Sequence, residues 1–170
     1  MRIYLVGYSY SGKSTLGRKL ADLLGLRFFD TEKAVELKYH TTIPLLFERY
    51  GEEAFRILER QVLFSTSDLD DAVVATGGGT PCCDENINFI LKSGLVIYLK
   101  MDTDDILQRL ASTRKKRPLL MNKSPEQQRL FINDILQKRM PFYSKAHITT
   151  DAMTATADTI ATLIRDYHAN

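Results

Sequence analysis

Cysteine is scarce in this chain: two residues in 170, Cys82 and Cys83. They are adjacent, and neighbouring cysteines bridge each other only with strained geometry. Two ligands are also too few for a structural zinc site. A disulfide framework is therefore excluded, and reduced thiols in a reducing compartment are expected. Long apolar runs are missing as well. None approaches the ~20 residues that span a bilayer, so no membrane partner is expected. The apolar run at residues 3–6 is too short for the core of a signal peptide and passes straight into Gly7. The expected location is cytoplasmic. Excess charge of one sign is absent too. Lys and Arg number 23 against 21 Asp and Glu, a net charge of +2. That is too small to argue for a nucleic-acid partner.

What is present suits an ordinary domain. A length of 170 residues, 44% of them apolar, is enough to bury a core in a single domain, residues 1–170. Short apolar runs at 3–6, 26–29, 72–75 and 95–99 read as buried parallel strands, with a weaker fifth at 147–150. Helical patterns lie between them: 13–24, ending at Gly25, then 31–39, 43–50, 52–65, 84–92, 103–113, 125–139 and 154–167. Strands alternating with helices imply βαβ units, hence an α/β fold with a parallel sheet covered on both faces. The one compositional anomaly is STRKKRPLLMNKS, residues 112–124. It is basic, contains Pro118 and lies between two helical patterns, so it reads as a mobile loop. With no coiled-coil seam in the sequence, a monomer is expected.

Residues 7–14, GYSYSGKS, match G-x-x-x-x-G-K-[ST], with an apolar strand before and a helix after. Each part has a physical role. Backbone N–H groups of such a loop and of the helix start point at phosphate oxygens. Gly7 and Gly12 allow the turn and a close backbone approach. Lys13 can reach the β- and γ-phosphates, and the Ser14 hydroxyl can ligate Mg²⁺. Ser11 and Thr15 complete the expected phosphate contacts. Such a loop indicates a nucleoside triphosphate but not what is done with it. No N-K-x-D guanine-reading motif follows, and the run at 72–75 leads into Thr76-Gly77-Gly78-Gly79 where a motor or GTPase would carry an acidic residue. A small phosphotransferase is the better expectation.

The run at 26–29 ends at Asp30-Thr31-Glu32. Ligands of open α/β sheets sit at the carboxyl ends of strands. Two carboxylates there can divide the work, one orienting Mg²⁺ and the other holding an acceptor hydroxyl and taking its proton. The same residues could instead simply cap a helix. Spacing alone leaves both readings open.

The phosphate loop, FFDTE at 28–32, YGEEAFRILE at 50–59, ATGGGTP at 75–81, RKKRPLL at 114–120 and RMPFY at 139–143 together resemble the shikimate kinase family. The resemblance covers most of the chain. It implies a P-loop kinase fold, with a five-stranded parallel sheet of order 2-3-1-4-5, helices on both faces and a mobile lid at about 112–124. It also implies an ATP- and Mg²⁺-dependent phosphorylation of shikimate at its 3-hydroxyl. Carried over to this sequence, Arg56 and Arg139 would hold the acceptor carboxylate. Gly77, Gly78 and Gly79 would give it backbone contacts. Arg117 would close on the ATP phosphates, and Arg109 would lie near adenine. Lys13, Glu32 and Arg117 would be the catalytic set, with Ser14 and Asp30 at the metal.

The residue types agree with these roles. Guanidinium forks match two carboxylate oxygens. Arg56 could also be a surface ion pair with Glu59 one turn on, and Arg139 a helix C-terminal cation. Three consecutive glycines cost chain entropy, which favours close ligand approach. The chain departs from the family at Tyr10 and Ser11, where small residues, often glycine, are usual. It departs again at Glu32, where the family has aspartate. The extra methylene asks for a folded-back side chain or a small helix shift. It also leaves open another hydroxylated acid such as gluconate, or an ATP-binding protein without turnover.

Overall fold

In the computed structural model, which describes residues 1–112 and 122–169, five strands form a parallel sheet in the order β2-β3-β1-β4-β5. They are β1 (Arg2–Val6), β2 (Arg27–Asp30), β3 (Ala72–Ala75), β4 (Leu95–Lys100) and β5 (Ile148–Asp151). Seven helices are described: α1 (Lys13–Leu24), α2 (Thr31–Tyr39), α3 (Ile43–Ser65), α4 (Asp84–Ser93), α5 (Thr103–Ser112), α6 (Pro125–Tyr143) and α7 (Ala157–Ala169). Every strand expected from the sequence is present, shifted by at most a residue at an end. No helix among the described residues is long and apolar enough to cross a membrane.

The central strands are unbroken apolar runs because both of their faces are covered. Ile3 and Leu5 pack into one layer with Leu20 and Ala21 of α1 and Ile160 and Ile164 of α7. Tyr4 and Val6 pack into the other with Leu63 of α3 and Ile87 and Ile90 of α4. The edge strand β5 shows alternating exposure instead, which is why its sequence signal is weaker. A third cluster, Val35, Leu46, Phe55 and Val62, joins α2 to α3. Helix α6 serves both layers. Ile132 and Leu136 enter the first, while Met140 and Tyr143 enter the second.

The largest differences from the helices read in the sequence occur at three places. Segments 43–50 and 52–65 form one run kinked at Gly51, whose φ of 79° only glycine adopts without strain. Helix α6 runs to Tyr143, four residues past the expected end at Arg139, with Pro141 inside it. Proline removes one N–H and one helical bond, but Ser144 N still donates to Met140 O, and Tyr143 is anchored by burial. Helix α7 starts at Ala157, three residues later than expected. Thr156 and Thr159 exchange backbone-to-hydroxyl bonds there, a reciprocal cap that fixes the start.

The register places the site. Leu5 pairs with Ala75, Asp30 with Ala75 and Val6 with Tyr98. The carboxyl ends of β1, β2 and β3 therefore lie side by side. The chain leaves them as the phosphate loop, the Asp30-Thr31-Glu32 segment and the glycine turn. The basic stretch of the expected lid, with Arg117, lies outside the described residues.

Candidate active site

The loop after β1 turns tightly, with Ser11 N donating to Tyr8 O at 3.0 Å. Gly7 has a φ of 144°, and a Cβ there would lie 2.6 Å from Leu99 O, so no other residue fits between the loop and β4. Gly12 caps α1 in the left-handed region. Lys13 is 6% exposed; its Nζ donates to Gly7 O at 2.8 Å, Tyr8 O at 2.7 Å and Ser11 Oγ at 3.3 Å. Ser14 and Thr15 open onto a cleft of about 200 Å³, lined also by Ser9, Tyr10, Lys13, Glu32 and Gly78. The unusual Tyr10 ring is absorbed by the apolar layer against which it packs. Its carbonyl accepts from Arg109 Nη1 at 2.7 Å, while Arg109 Nη2 donates to Ala152 O at 2.8 Å. Arg109 thus ties the phosphate loop to the loop after β5. Two of its five donors serve backbone, and its planar guanidinium face is the part suited to the adenine contact that the resemblance implies.

Asp30 caps α2, one of the two readings that the spacing left open, and keeps its second oxygen beside the phosphate loop. Oδ1 accepts from Lys33 N at 3.1 Å and caps α2. Oδ2 accepts from Ser14 Oγ at 2.5 Å. Thr31 between the two acids is fully buried, and its Oγ1 accepts from Gly77 N at 3.1 Å. Glu32 projects into the cleft. A Cβ on Gly77 would stand 3.0 Å from Glu32 Oε1, so the extra methylene of Glu32 is accommodated by the missing side chain at 77.

Arg56 and Arg139 flank the glycine turn, as expected of two groups converging on one anion. A Cβ on Gly79 would lie 2.6 Å from Arg56 Nη2, and one on Gly78 would lie 3.0 Å from Arg139 Nη1. The ion pair of Arg56 also exists, yet it is not a surface pair. Arg56 Nη1 donates to Glu59 Oε2 at 2.8 Å, and Glu59 is 1% exposed. Burial opposes the Arg56 charge, but Glu59 and then Glu52 hold its pKa above the ordinary arginine value. Arg139 is not a C-terminal cation, since α6 continues beyond it; its guanidinium lies 5.7 Å from the Tyr8 ring centroid.

Sequence reasoning gave Glu59 only a possible ion pair with Arg56, and gave Thr80, Asn86 and Tyr143, which also lie beneath the turn, no role. Glu59 Oε1 accepts from Thr80 Oγ1 at 2.5 Å, and Asn86 Nδ2 donates to Thr80 O at 2.7 Å. Tyr143 Oη donates to Gly78 O. Only tertiary contacts reveal them, although Glu59 and Tyr143 fall inside the motifs YGEEAFRILE and RMPFY. Burial pushes the nearby Cys82 thiol up to about 11, so it stays a thiol at neutral pH.

The comparisons with known proteins bear on this arrangement as a whole. The family model described as shikimate kinase matches residues 10–168. A shikimate kinase of Parabacteroides distasonis is 43% identical over 151 residues, covering 89% of this chain and 87% of that protein. The crystal structure of shikimate kinase from Bacteroides thetaiotaomicron superposes with a TM-score of 0.90 at 32% identity, covering 100% of this chain and 99% of that one. That of Acinetobacter baumannii shikimate kinase in complex with shikimate gives 0.83 at 40% identity, with 96% and 89% covered. A phosphate loop, paired acids and an arginine-flanked glycine turn at one sheet edge, together with these matches, show that the chain belongs to the shikimate kinase family of P-loop phosphotransferases.

Proposed function

We propose that this chain transfers the γ-phosphoryl group of ATP to the 3-hydroxyl of shikimate. The observation that carries the reading is the convergence of Arg56 and Arg139 on a glycine turn that adjoins the phosphate loop across one cleft. Anion recognition and phosphate recognition thus adjoin one cleft, as transfer to a small hydroxylated acid requires.

Each role follows from local chemistry. Lys13 exchanges its loop carbonyls for β- and γ-phosphate oxygens and stabilises charge on the transferring group. Ser14 and Asp30 fit Mg²⁺, because their two oxygens already meet at 2.5 Å at the start of α1. Bound there, the ion would neutralise phosphate charge. Arg56 and Arg139 hold the acceptor carboxylate, and the backbone of Gly77–Gly79 admits the ring without side-chain interference. Glu32 accepts the hydrogen bond of the reacting hydroxyl. As that oxygen bonds to the γ-phosphorus, the bond from phosphorus to the ADP oxygen breaks and the hydroxyl proton passes to Glu32. Arg109 steadies the loop near the adenine, and Arg117 supplies a closing positive charge. The protein acts as a single-domain cytoplasmic monomer.

Alanine at Arg56 or Arg139 removes a charge-assisted contact worth about 1.5–3 kcal/mol. Each variant is expected to raise the shikimate KM at least tenfold and leave the ATP KM within about twofold, read from initial rates. Normal acceptor KM in both variants would return Arg56 to a structural ion pair and refute the shared anion site.

A further inference from the structure

The acceptor clamp has two halves that no sequence-local feature joins: the glycine turn after β3 and Arg139 on α6. Tyr143 touches both. It is fully buried, one helical turn beyond Arg139. Its hydroxyl donates to Gly78 O, and the Arg139 cation lies near enough to act on the phenol oxygen. The phenol thus stands between the Arg139 charge and the Gly78 carbonyl, and a nearby cation strengthens its O–H as a donor. The ring is held by Tyr98, stacked at 5.0 Å between centroids. A phenol suits this place because its oxygen can donate and accept at once. Burial pushes its pKa far up, so it stays protonated and keeps donating.

We propose that Tyr143 is a positioning residue for the acceptor, setting both the Gly78 backbone and the Arg139 fork at the geometry that the substrate carboxylate and ring require. This inference rests on the activity assigned above. Without the hydroxyl, the Gly78 carbonyl keeps only a weak second donor, Cys82 Sγ at 3.7 Å, and Arg139 loses the polar oxygen beside it. Both halves of the clamp then relax, while the phosphate loop, which Tyr143 does not hold, is untouched.

Tyr98 gives a matched control. Its ring belongs to the same stacked pair, it is 2% exposed, and its hydroxyl is buried with no hydrogen-bond partner among the described residues. The experiment measures KM for shikimate and for ATP, and kcat, in wild type, Tyr143→Phe and Tyr98→Phe. Tyr143→Phe is expected to raise the shikimate KM about tenfold with ATP KM within twofold, while Tyr98→Phe changes neither. An unchanged shikimate KM in Tyr143→Phe would overturn the inference. So would a parallel rise in both KM values, or an equal rise in Tyr98→Phe, since either marks general loosening. If Tyr143→Phe yields no folded protein, Cys82→Ala replaces it: about a twofold rise in shikimate KM alone is expected, and no change overturns the inference. Wild-type turnover is measured first. Its absence with shikimate sinks the acceptor assignment and this inference together. A wild type active on shikimate beside an unaffected Tyr143→Phe sinks the Tyr143 role alone.

Discussion

Lys13→Ala is expected to reduce turnover by about 10³-fold or more while the protein remains folded. The ammonium binds the carbonyls of the inner turn of the loop, and Lys13 also lines the cleft. Arg109 does not replace it, being committed to Tyr10 O and Ala152 O. The substitution leaves two loop carbonyls without their donor, at about 1–3 kcal/mol. For a chain of this length, that corresponds to a melting temperature lowered by roughly 2–12 °C. ATP affinity should fall as well, because the cation also contributes in the ground state. The check combines single-turnover rates with thermal melting. A folded variant with wild-type turnover would remove the loop from the mechanism.

Glu32→Gln is the second large effect. It keeps the shape of the side chain and removes its charge and proton affinity. General-base assistance contributes about 10²–10⁴-fold, so kcat should fall by that order with the shikimate KM moved much less. Glu32→Asp separates position from charge. The carboxylate of Glu32 lies against the bare Gly77 backbone. A shorter arm withdraws it from that place by about 1 Å, a displacement that can cost up to ~10²-fold. We therefore expect kcat/KM for shikimate to drop about tenfold or more in Glu32→Asp. Equal or higher activity would mean that the longer arm is a misfit at this site.

These residues differ in how far the sequence could disclose them. The phosphate loop was legible because its parts are contiguous and its flanks, a strand and a helix, have their own periodicities. The central strands were legible because burial on both faces leaves continuous apolar runs. Asp30 could not be assigned from spacing between capping and metal placement, and the reason is physical: one oxygen caps α2 while the other stays beside Ser14, so the cap does not use up the carboxylate. The end of α6 was misplaced because Pro141 looks like a stop, whereas tertiary burial of Tyr143 carries the helix past it. The base of the glycine turn was invisible for a related reason. Thr80, Glu59, Asn86 and Tyr143 come from separate segments, and only the folded chain brings their polar atoms within hydrogen-bond distance. Tyr10 looked foreign to a phosphate loop until the apolar layer that receives its ring was in view. The arginines were legible as residue types suited to a carboxylate, but their meeting at adjacent glycines is a property of how α3 and α6 pack beside the turn after β3.

The most direct measurement is ADP release by the wild-type protein with Mg²⁺ and ATP, with and without shikimate, alongside identification of the phosphorylated product. The account predicts ADP release that depends on shikimate, one phosphoryl group transferred per ADP formed, and the new phosphate ester on the 3-hydroxyl. ADP release indifferent to shikimate, or turnover only with another hydroxylated acid such as gluconate, would contradict it.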